Sequence, residues 1–311
     1  MLTYLIIILD DTSVSYCHYE TGRRERRLID LDVLKRGIVW AMKENLNIQF
    51  VYPDYQLPEA YREVVESIDH TKIGPVGCGE ELDVVVVDDL SDVEPQSQIP
   101  YLWRCSLATL DKAQEQLKEK LRHAFRINVM LTDIPTWKQA EFDTYKAILT
   151  ELTGFMVERY CEGSVTQLNL LTDRLMLNEM NNCGAGDTSV TLAPDGRFYV
   201  CPAFYYAGME SIGMPDKGLA IPNKQLYRLD HAPICRICDA YQCKRCVWMN
   251  GLLTGDANTP SHEQCVAAHL ERNAARLLQQ KLRENDVHLE NCSEITEINY
   301  LDPFIIANKW K

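Results

Sequence analysis

Hydrophobic positions in the first 180 residues form two kinds of pattern that alternate along the chain. Short continuous apolar runs are typical of strands that are buried on both faces. The segments between these runs place apolar residues at helical spacing, as Leu34, Ile38 and Met42 do. The pattern predicts strands at residues 2–9, 47–52, 83–87, 101–107, 127–131 and 167–171, and helices at residues 31–45, 58–69, 110–125 and 137–160.

The order of these elements indicates the fold class. The six predicted strands alternate with helices, and a helical crossover brings each strand back parallel to the one before it. The sequence therefore predicts an α/β fold built as a parallel sheet or a partial barrel.

The character of the chain changes after residue 180, where cysteine, glycine and turn residues become frequent. Two short apolar runs flank Pro194-Asp195-Gly196, which predicts a hairpin. Ser261, followed three positions later by Gln264, predicts a capping box that starts a long helix over residues 262–284. Residues 291–311 form a short tail, in which residues 304–306 are predicted to be a strand.

Cysteine spacing is the main chemical signal. Thiolates in close Cys-x2-Cys pairs are placed to bind zinc or an iron–sulfur cluster. The alternatives are small buried side chains or a disulfide frame, which are more usual for scattered cysteines. The seven candidate metal ligands are Cys183, Cys201, Cys235, Cys238, Cys243, Cys246 and Cys265.

Composition narrows the classes of function. The net charge of −13 disfavours nucleic acid and anionic membranes as partners, since both attract basic surfaces. The apolar run at residues 5–9 is too short to span a bilayer and is not preceded by a basic segment. These features predict a cytoplasmic protein, whose twelve cysteines are reduced thiols and metal ligands rather than disulfides.

Six βα units followed by this cysteine pattern resemble the radical S-adenosylmethionine (SAM) enzymes that carry a SPASM domain. The resemblance rests on two stretches, Cys183-x12-Gly196-x4-Cys201 and Cys235-x2-Cys238-x4-Cys243-x2-Cys246, and on a lone Cys265 after them. The last two gaps of the second group are each one residue shorter than the family pattern. The resemblance implies a partial (β/α)6 TIM-like barrel of the radical SAM type over residues 1–180, a SPASM-like metal-cluster domain over residues 181–290 and a tail over residues 291–311.

The resemblance also implies a division of the cysteines between one or two auxiliary 4Fe–4S clusters. Cys235, Cys238, Cys243 and Cys265 would hold one cluster, and Cys183, Cys201 and Cys246 would hold part of another. Zinc at the two Cys-x2-Cys pairs stays open as an alternative, because such pairs also form zinc knuckles. Two histidines near the cysteines in sequence, His231 and His262, are further possible ligands.

The loop after the first strand departs from the family. Active members hold the SAM-cleaving cluster there with Cys-x3-Cys-x2-Cys, whereas the matching positions here are Ser13, Cys17 and Glu20. One thiolate with a hydroxyl and a carboxylate is a poor donor set for such a cluster. The second strand also ends without the glycine pair that lets the family bind SAM closely. SAM is therefore not expected as a cofactor.

These departures predict a degenerate member of the family. Among such members, the chain resembles the maturase of CXXX-repeat peptide systems. The resemblance implies a maturation factor that binds a ribosomally made precursor peptide, an active radical SAM partner enzyme, or both. A stand-alone redox enzyme that uses the SPASM clusters and a zinc-stapled binding module are the alternatives.

Overall fold

The computed structural model describes residues 1–23, 25–94, 98–289, 292–298 and 301. Its strands are β1 (Tyr4–Ile8), β2 (Asn47–Val51), β3 (Thr71–Pro75), β4 (Val84–Val87), β5 (Tyr101–Cys105), β6 (Arg126–Leu131), β7 (Gln167–Leu168), β8 (Ser189–Leu192), β9 (Phe198–Tyr199), β10 (Gly213–Met214) and β11 (Gly218–Leu219). Its α-helices are α1 (Leu31–Lys43), α2 (Glu59–Val65), α3 (Leu107–Lys112), α4 (Gln114–Leu121), α5 (Gln139–Cys161), α6 (Asn169–Met176), α7 (Pro202–Tyr206), α8 (Val247–Thr254) and α9 (His262–Glu284).

The chain forms two compact units, and each is built from two separate stretches of sequence. The first unit contains Met1–Val87 and Gly184–His231. The second contains Asp88–Cys183 and the described residues from Ala232 onward. The domain boundaries expected from the sequence stay a prediction.

The first unit is organised around β1. This strand pairs in parallel with β2 on one side and with β8 on the other. The strand order in the unit is β11-β10-β9-β8-β1-β2-β3-β4. Leu5, Ile7 and Ile8 of β1 are fully buried, as the continuous apolar run predicts. The hairpin predicted at Pro194-Asp195-Gly196 is present as the antiparallel pair β8–β9, and Gly196 has a φ of +81° that favours glycine.

The second unit combines the parallel strands β5, β6 and β7 with a helical layer. Helix α9 packs against α5 and α6, and its apolar face buries Leu278 and Leu282. The Ser261 side chain accepts a hydrogen bond from the backbone N–H of Gln264 at 3.3 Å, so α9 begins where the capping pattern predicts. None of the helices that the structure describes has a stretch long and apolar enough to cross a membrane.

Three elements differ from the sequence prediction. Strand β3 was not expected, because its short sequence Thr-Lys-Ile-Gly-Pro has little alternation and carries a glycine and a proline. The helix predicted at residues 110–125 is two short helices that meet at Ala113. The strand predicted at residues 167–171 ends after Leu168, where α6 begins. The predicted strand at residues 304–306 lies outside the described residues.

Candidate metal centre and the loop after the first strand

Four cysteines line one small cavity in the second unit. Cys235, Cys238 and Cys243 come from the loop before α8, and Cys265 comes from the first turn of α9. These are the four residues that the family resemblance groups as ligands of one cluster. The other residues that line the cavity are Met180, Ile234, Ala240, Arg245, Pro260, Gln264, Ala268 and His269. We refer to this region as the cysteine cavity.

Buried arginines hold the cysteine loop in place through Asp239. Arg272, which is fully buried, donates from Nε to both Asp239 carboxylate oxygens at 3.0 and 3.1 Å and from Nη2 to Oδ2 at 2.5 Å. Arg174 donates from Nε to the Asp239 carbonyl oxygen at 2.6 Å. Charge-assisted, bidentate bonds of this kind are strong and directional. Because Asp239 directly follows Cys238, they fix the position of that thiol.

Helix α9 supplies a second side chain next to the thiols. Cys265 and His269 are four residues apart, so both lie on the same face of the helix. The His269 side chain is buried, and its Nε2 lies 3.3 Å from Cys238 Sγ. The same sulfur accepts a hydrogen bond from the backbone N–H of Ala240 at 3.4 Å. Burial lowers the pKa of His269 to about 4, so the imidazole is neutral at physiological pH.

Burial controls the protonation of the cavity thiols. It raises the pKa of Cys235 to about 11 and that of Cys243 to about 12, and it also raises the pKa of Cys238. These thiols are therefore protonated in the metal-free protein, even though the Arg245 guanidinium opposes the shift at Cys235. A bound metal deprotonates a coordinating thiol. A metal bound in the cavity would therefore take the place of the thiol protons.

The donor set fits an iron–sulfur cluster. Four thiols with no hard oxygen donor among them match the ligands that such clusters take. In the part of the chain that the structure describes, no group of three or more His, Cys, Asp or Glu side chains is already close enough together to hold a metal ion. The residues that would hold the cluster are Cys235, Cys238, Cys243 and Cys265. The assignment of metal ligands stays a prediction.

The other three candidate ligands lie outside this cavity lining. Cys246 caps the N-terminus of α8, where its Sγ accepts a hydrogen bond from the backbone N–H of Met249 at 3.5 Å. Cys183 is exposed, and its Sγ lies 3.7 Å from the carbonyl oxygen of Arg245, the residue before Cys246. Cys201 belongs to the first unit, where it precedes α7.

The loop after β1 uses Ser13 as a structural residue. Its side chain is fully buried and accepts a hydrogen bond from the backbone N–H of Asp10 at 3.0 Å. The same hydroxyl donates to the carbonyl oxygen of Val51 at 2.8 Å, at the end of β2. Cys17 is half-buried and Glu20 is exposed. These three residues do not fit a cluster that takes three thiolates. Among them only Cys17 carries a thiol, and the Ser13 hydroxyl is hydrogen-bonded to backbone atoms.

An aspartate, an arginine and a tyrosine form a partly buried network beside Ser13. Asp11 forms an ion pair with Arg23 Nη1 at 3.1 Å and accepts a hydrogen bond from the Tyr205 hydroxyl. Arg23 also donates to that hydroxyl at 2.5 Å and lies 4.1 Å from the centre of the Tyr205 ring. Asp10, which is fully buried, accepts a hydrogen bond from the Tyr55 hydroxyl at 2.9 Å. We call Asp10, Asp11, Ser13, Arg23 and Tyr205 the β1 loop network.

Sequence reasoning missed several of these residues. His231 and His262 are exposed, and the histidine that contacts a cysteine is His269. Its spacing of four from Cys265 within a predicted helix is the signal that could have found it. Tyr205 packs with Ile8 at the end of β1, so its environment combines core packing and hydrogen bonding. The pairing of Arg23 with Asp11 has no local sequence signal.

The fold is similar to that of anSMEcpe, which was solved with bound AdoMet. A hexahistidine-tagged anSMEcpe with bound AdoMet superposes with a TM-score of 0.54 at 13% sequence identity, over 93% of this chain and 100% of that one. A second structure, native anSMEcpe with bound AdoMet and Cp18Cys peptide, gives a TM-score of 0.48 at 10% identity, over 92% and 99% of the two chains. No protein-family model matches the chain, and no curated protein matches its sequence. The predicted fold class, a mixed α/β fold with a parallel sheet and helices, is confirmed.

Proposed function

We propose that this chain is a peptide-maturation factor related to the radical SAM/SPASM maturases, which holds an iron–sulfur cluster in the cysteine cavity and does not cleave SAM. The observation that carries the proposal is the convergence of Cys235, Cys238, Cys243 and Cys265 on one cavity. A 4Fe–4S cluster bound there supplies one-electron redox chemistry. The protein contributes four soft ligands, a buried environment and the arginine anchors that fix Cys238.

The loss of SAM cleavage is supported by the β1 loop network. Ser13 bridges the backbone of the loop and β2 instead of presenting a thiolate, and the Glu20 side chain is exposed. Arg23 and Tyr205 satisfy the buried Asp11 carboxylate in the same loop. A buried carboxylate with two donors is an arrangement that stabilises the loop without a metal.

The proposed substrate is a cysteine-containing, ribosomally made precursor peptide, as in the CXXX-repeat systems. We propose that an active radical SAM enzyme acts on this peptide together with the present chain. The support for these two partners is the sequence resemblance. Co-expression with a tagged radical SAM enzyme from the same system, followed by affinity purification with and without the peptide, tests both. A stable ternary complex is expected, and loss of the interaction in all combinations would contradict the companion role.

The metal and the SAM chemistry are tested on one anaerobic preparation. Iron, zinc and acid-labile sulfide are quantified, and the protein is then incubated with dithionite and SAM. We expect about four iron and four sulfide per cluster, with no 5′-deoxyadenosine formed. Zinc without sulfide would indicate a zinc-stapled module instead, and reductive SAM cleavage by the chain alone would overturn the proposal. The Cys161→Ala variant is the matched control, since Cys161 is exposed and lies outside the cavity.

A further inference from the structure

His269 lies beside the cavity thiols and has no role in the proposed function so far. Its side chain is 1% exposed, it lines the cysteine cavity, and its Nε2 lies 3.3 Å from Cys238 Sγ. That separation is within hydrogen-bonding range for a sulfur acceptor. His269 also lies one helical turn after Cys265, so α9 aligns a ligand and an imidazole on the same cavity wall.

The direction of this hydrogen bond follows from the chemistry of the thiol. A cysteine that coordinates a metal is deprotonated, and its sulfur can then only accept. The nitrogen that faces it must carry the proton for the contact to be favourable, which selects the Nε2–H tautomer of the neutral imidazole. Cys238 Sγ would then accept two N–H bonds, one from His269 and one from the backbone of Ala240 at 3.4 Å.

Hydrogen bonds to cluster sulfurs change how easily the cluster is reduced. Reduction adds negative charge, so an N–H directed at a ligand sulfur stabilises the reduced state more than the oxidised state. The cavity already contains four thiols for the four irons of a cubane cluster, so the imidazole is not needed as a ligand. Its position beside one sulfur is that of a hydrogen-bond donor.

We propose that His269 donates a hydrogen bond from Nε2 to the Cys238 thiolate and thereby raises the reduction potential of the centre held in the cysteine cavity. This inference rests on the proposed function, because it requires a cluster at that site. His269 is a positioning residue that acts through Cys238. It gives the Cys238 sulfur an imidazole donor in addition to the backbone N–H of Ala240.

Redox titration of the anaerobically prepared protein tests this role. His269→Leu removes the donor and keeps a buried apolar side chain, whereas His269→Gln places an amide N–H near the position of Nε2. We expect His269→Leu to raise the ratio of oxidised to reduced cluster about tenfold at a fixed potential, which is about 59 mV for one electron. His269→Gln is expected to stay within about threefold of the wild type. His288→Asn, at an exposed histidine, is the control and is expected to leave the ratio unchanged.

A second measurement keeps the test decisive if the leucine variant assembles no cluster. Pulsed EPR of the reduced wild-type protein, labelled with ¹⁵N-histidine, is expected to show a weak nitrogen coupling and an exchangeable proton that is lost in D₂O. A strong nitrogen coupling would mean that His269 is a ligand of the cluster. The absence of any coupling would mean that His269 does not contact Cys238. Either result overturns the inference. An assembled cluster with equal potentials in all variants would overturn this inference alone. Zinc without sulfide in the wild type would instead overturn the proposed function.

Discussion

The β1 loop network and the cysteine cavity both bury polar groups, but they satisfy them in opposite ways. In the β1 loop, the Asp11 carboxylate already has a cation and a hydroxyl as partners. In the cavity, burial keeps the thiols of Cys235 and Cys243 protonated, and their pKa values are raised to about 11 and about 12. The Asp11 carboxylate in the first region therefore has its charge balanced without a metal. The thiols of the second region keep their protons until a metal replaces them. Whether buried groups form a metal site therefore depends on the partners they already have.

Removal of a cavity ligand should have the largest effect, because it should lower the metal content of the protein, whereas removal of the thiol in the β1 loop should not. In Cys243→Ala, the cluster loses one of its four thiolates at a buried position, so we expect most of the iron and sulfide to be lost. In Cys17→Ala, in the β1 loop, the iron content should be unchanged. Iron and sulfide analysis after anaerobic purification makes the measurement. Equal iron loss in the two variants would remove the distinction between the regions.

Breaking the ion pair in the β1 loop should lower stability rather than metal content. Asp11→Ala leaves Arg23 and the Tyr205 hydroxyl without their shared acceptor, and we expect the free energy of unfolding to fall by about 3 kcal/mol. Urea denaturation of the variant and the wild type measures the change. Asp32→Ala, at a residue exposed in the first turn of α1, is the control, with an expected change of about 0.5 kcal/mol. A change of that small size in Asp11→Ala would show that the network does not stabilise the loop.

The stability of the second unit should depend on pH through Glu271. Burial raises the pKa of Glu271 to about 7, although hydrogen bonds from Tyr145 and Gln242 oppose the shift. The folded state then holds a proton on Glu271 that the unfolded state releases near pH 4.5, so this contribution to stability is lost as the pH rises from about 4.5 to about 7. Glu271→Gln should remove about 3 kcal/mol of that pH dependence. Denaturation of metal-free protein at several pH values checks this, with the exposed Glu284→Gln as the control.

Restoring a thiol in the β1 loop should have the smallest effect. Ser13→Cys places a larger, weaker hydrogen-bonding group where a hydroxyl bridges Asp10 and Val51, so we expect a loss of about 1 kcal/mol in stability. The iron content should not rise, since the side chain at this position stays buried against the backbone groups of Asp10 and Val51. Metal analysis and urea denaturation measure the two outcomes. An increase in iron and in SAM-dependent chemistry would mean that the loop retains a cluster site.

Much of the fold could be predicted because its signals are local. The continuous apolar run at β1 and the capping of α9 by Ser261 depend on residues close in sequence. The hairpin at Pro194-Asp195-Gly196 depends on turn chemistry in the same way. Strand β3 was missed because its five residues are held by pairing with β2 and β4 rather than by their own pattern.

The sequence by itself determined the type of chemistry: soft thiolate ligands after residue 180 and the absence of two thiolates in the loop after β1. The family resemblance had grouped the four cysteines that line the cavity, but only the tertiary structure decided that His269 faces Cys238 across 31 residues of sequence. It also paired Tyr205 with Asp11, which are 194 residues apart. Local periodicity and spacing specify elements and ligand types, whereas the partners of a buried side chain are set by how distant elements pack.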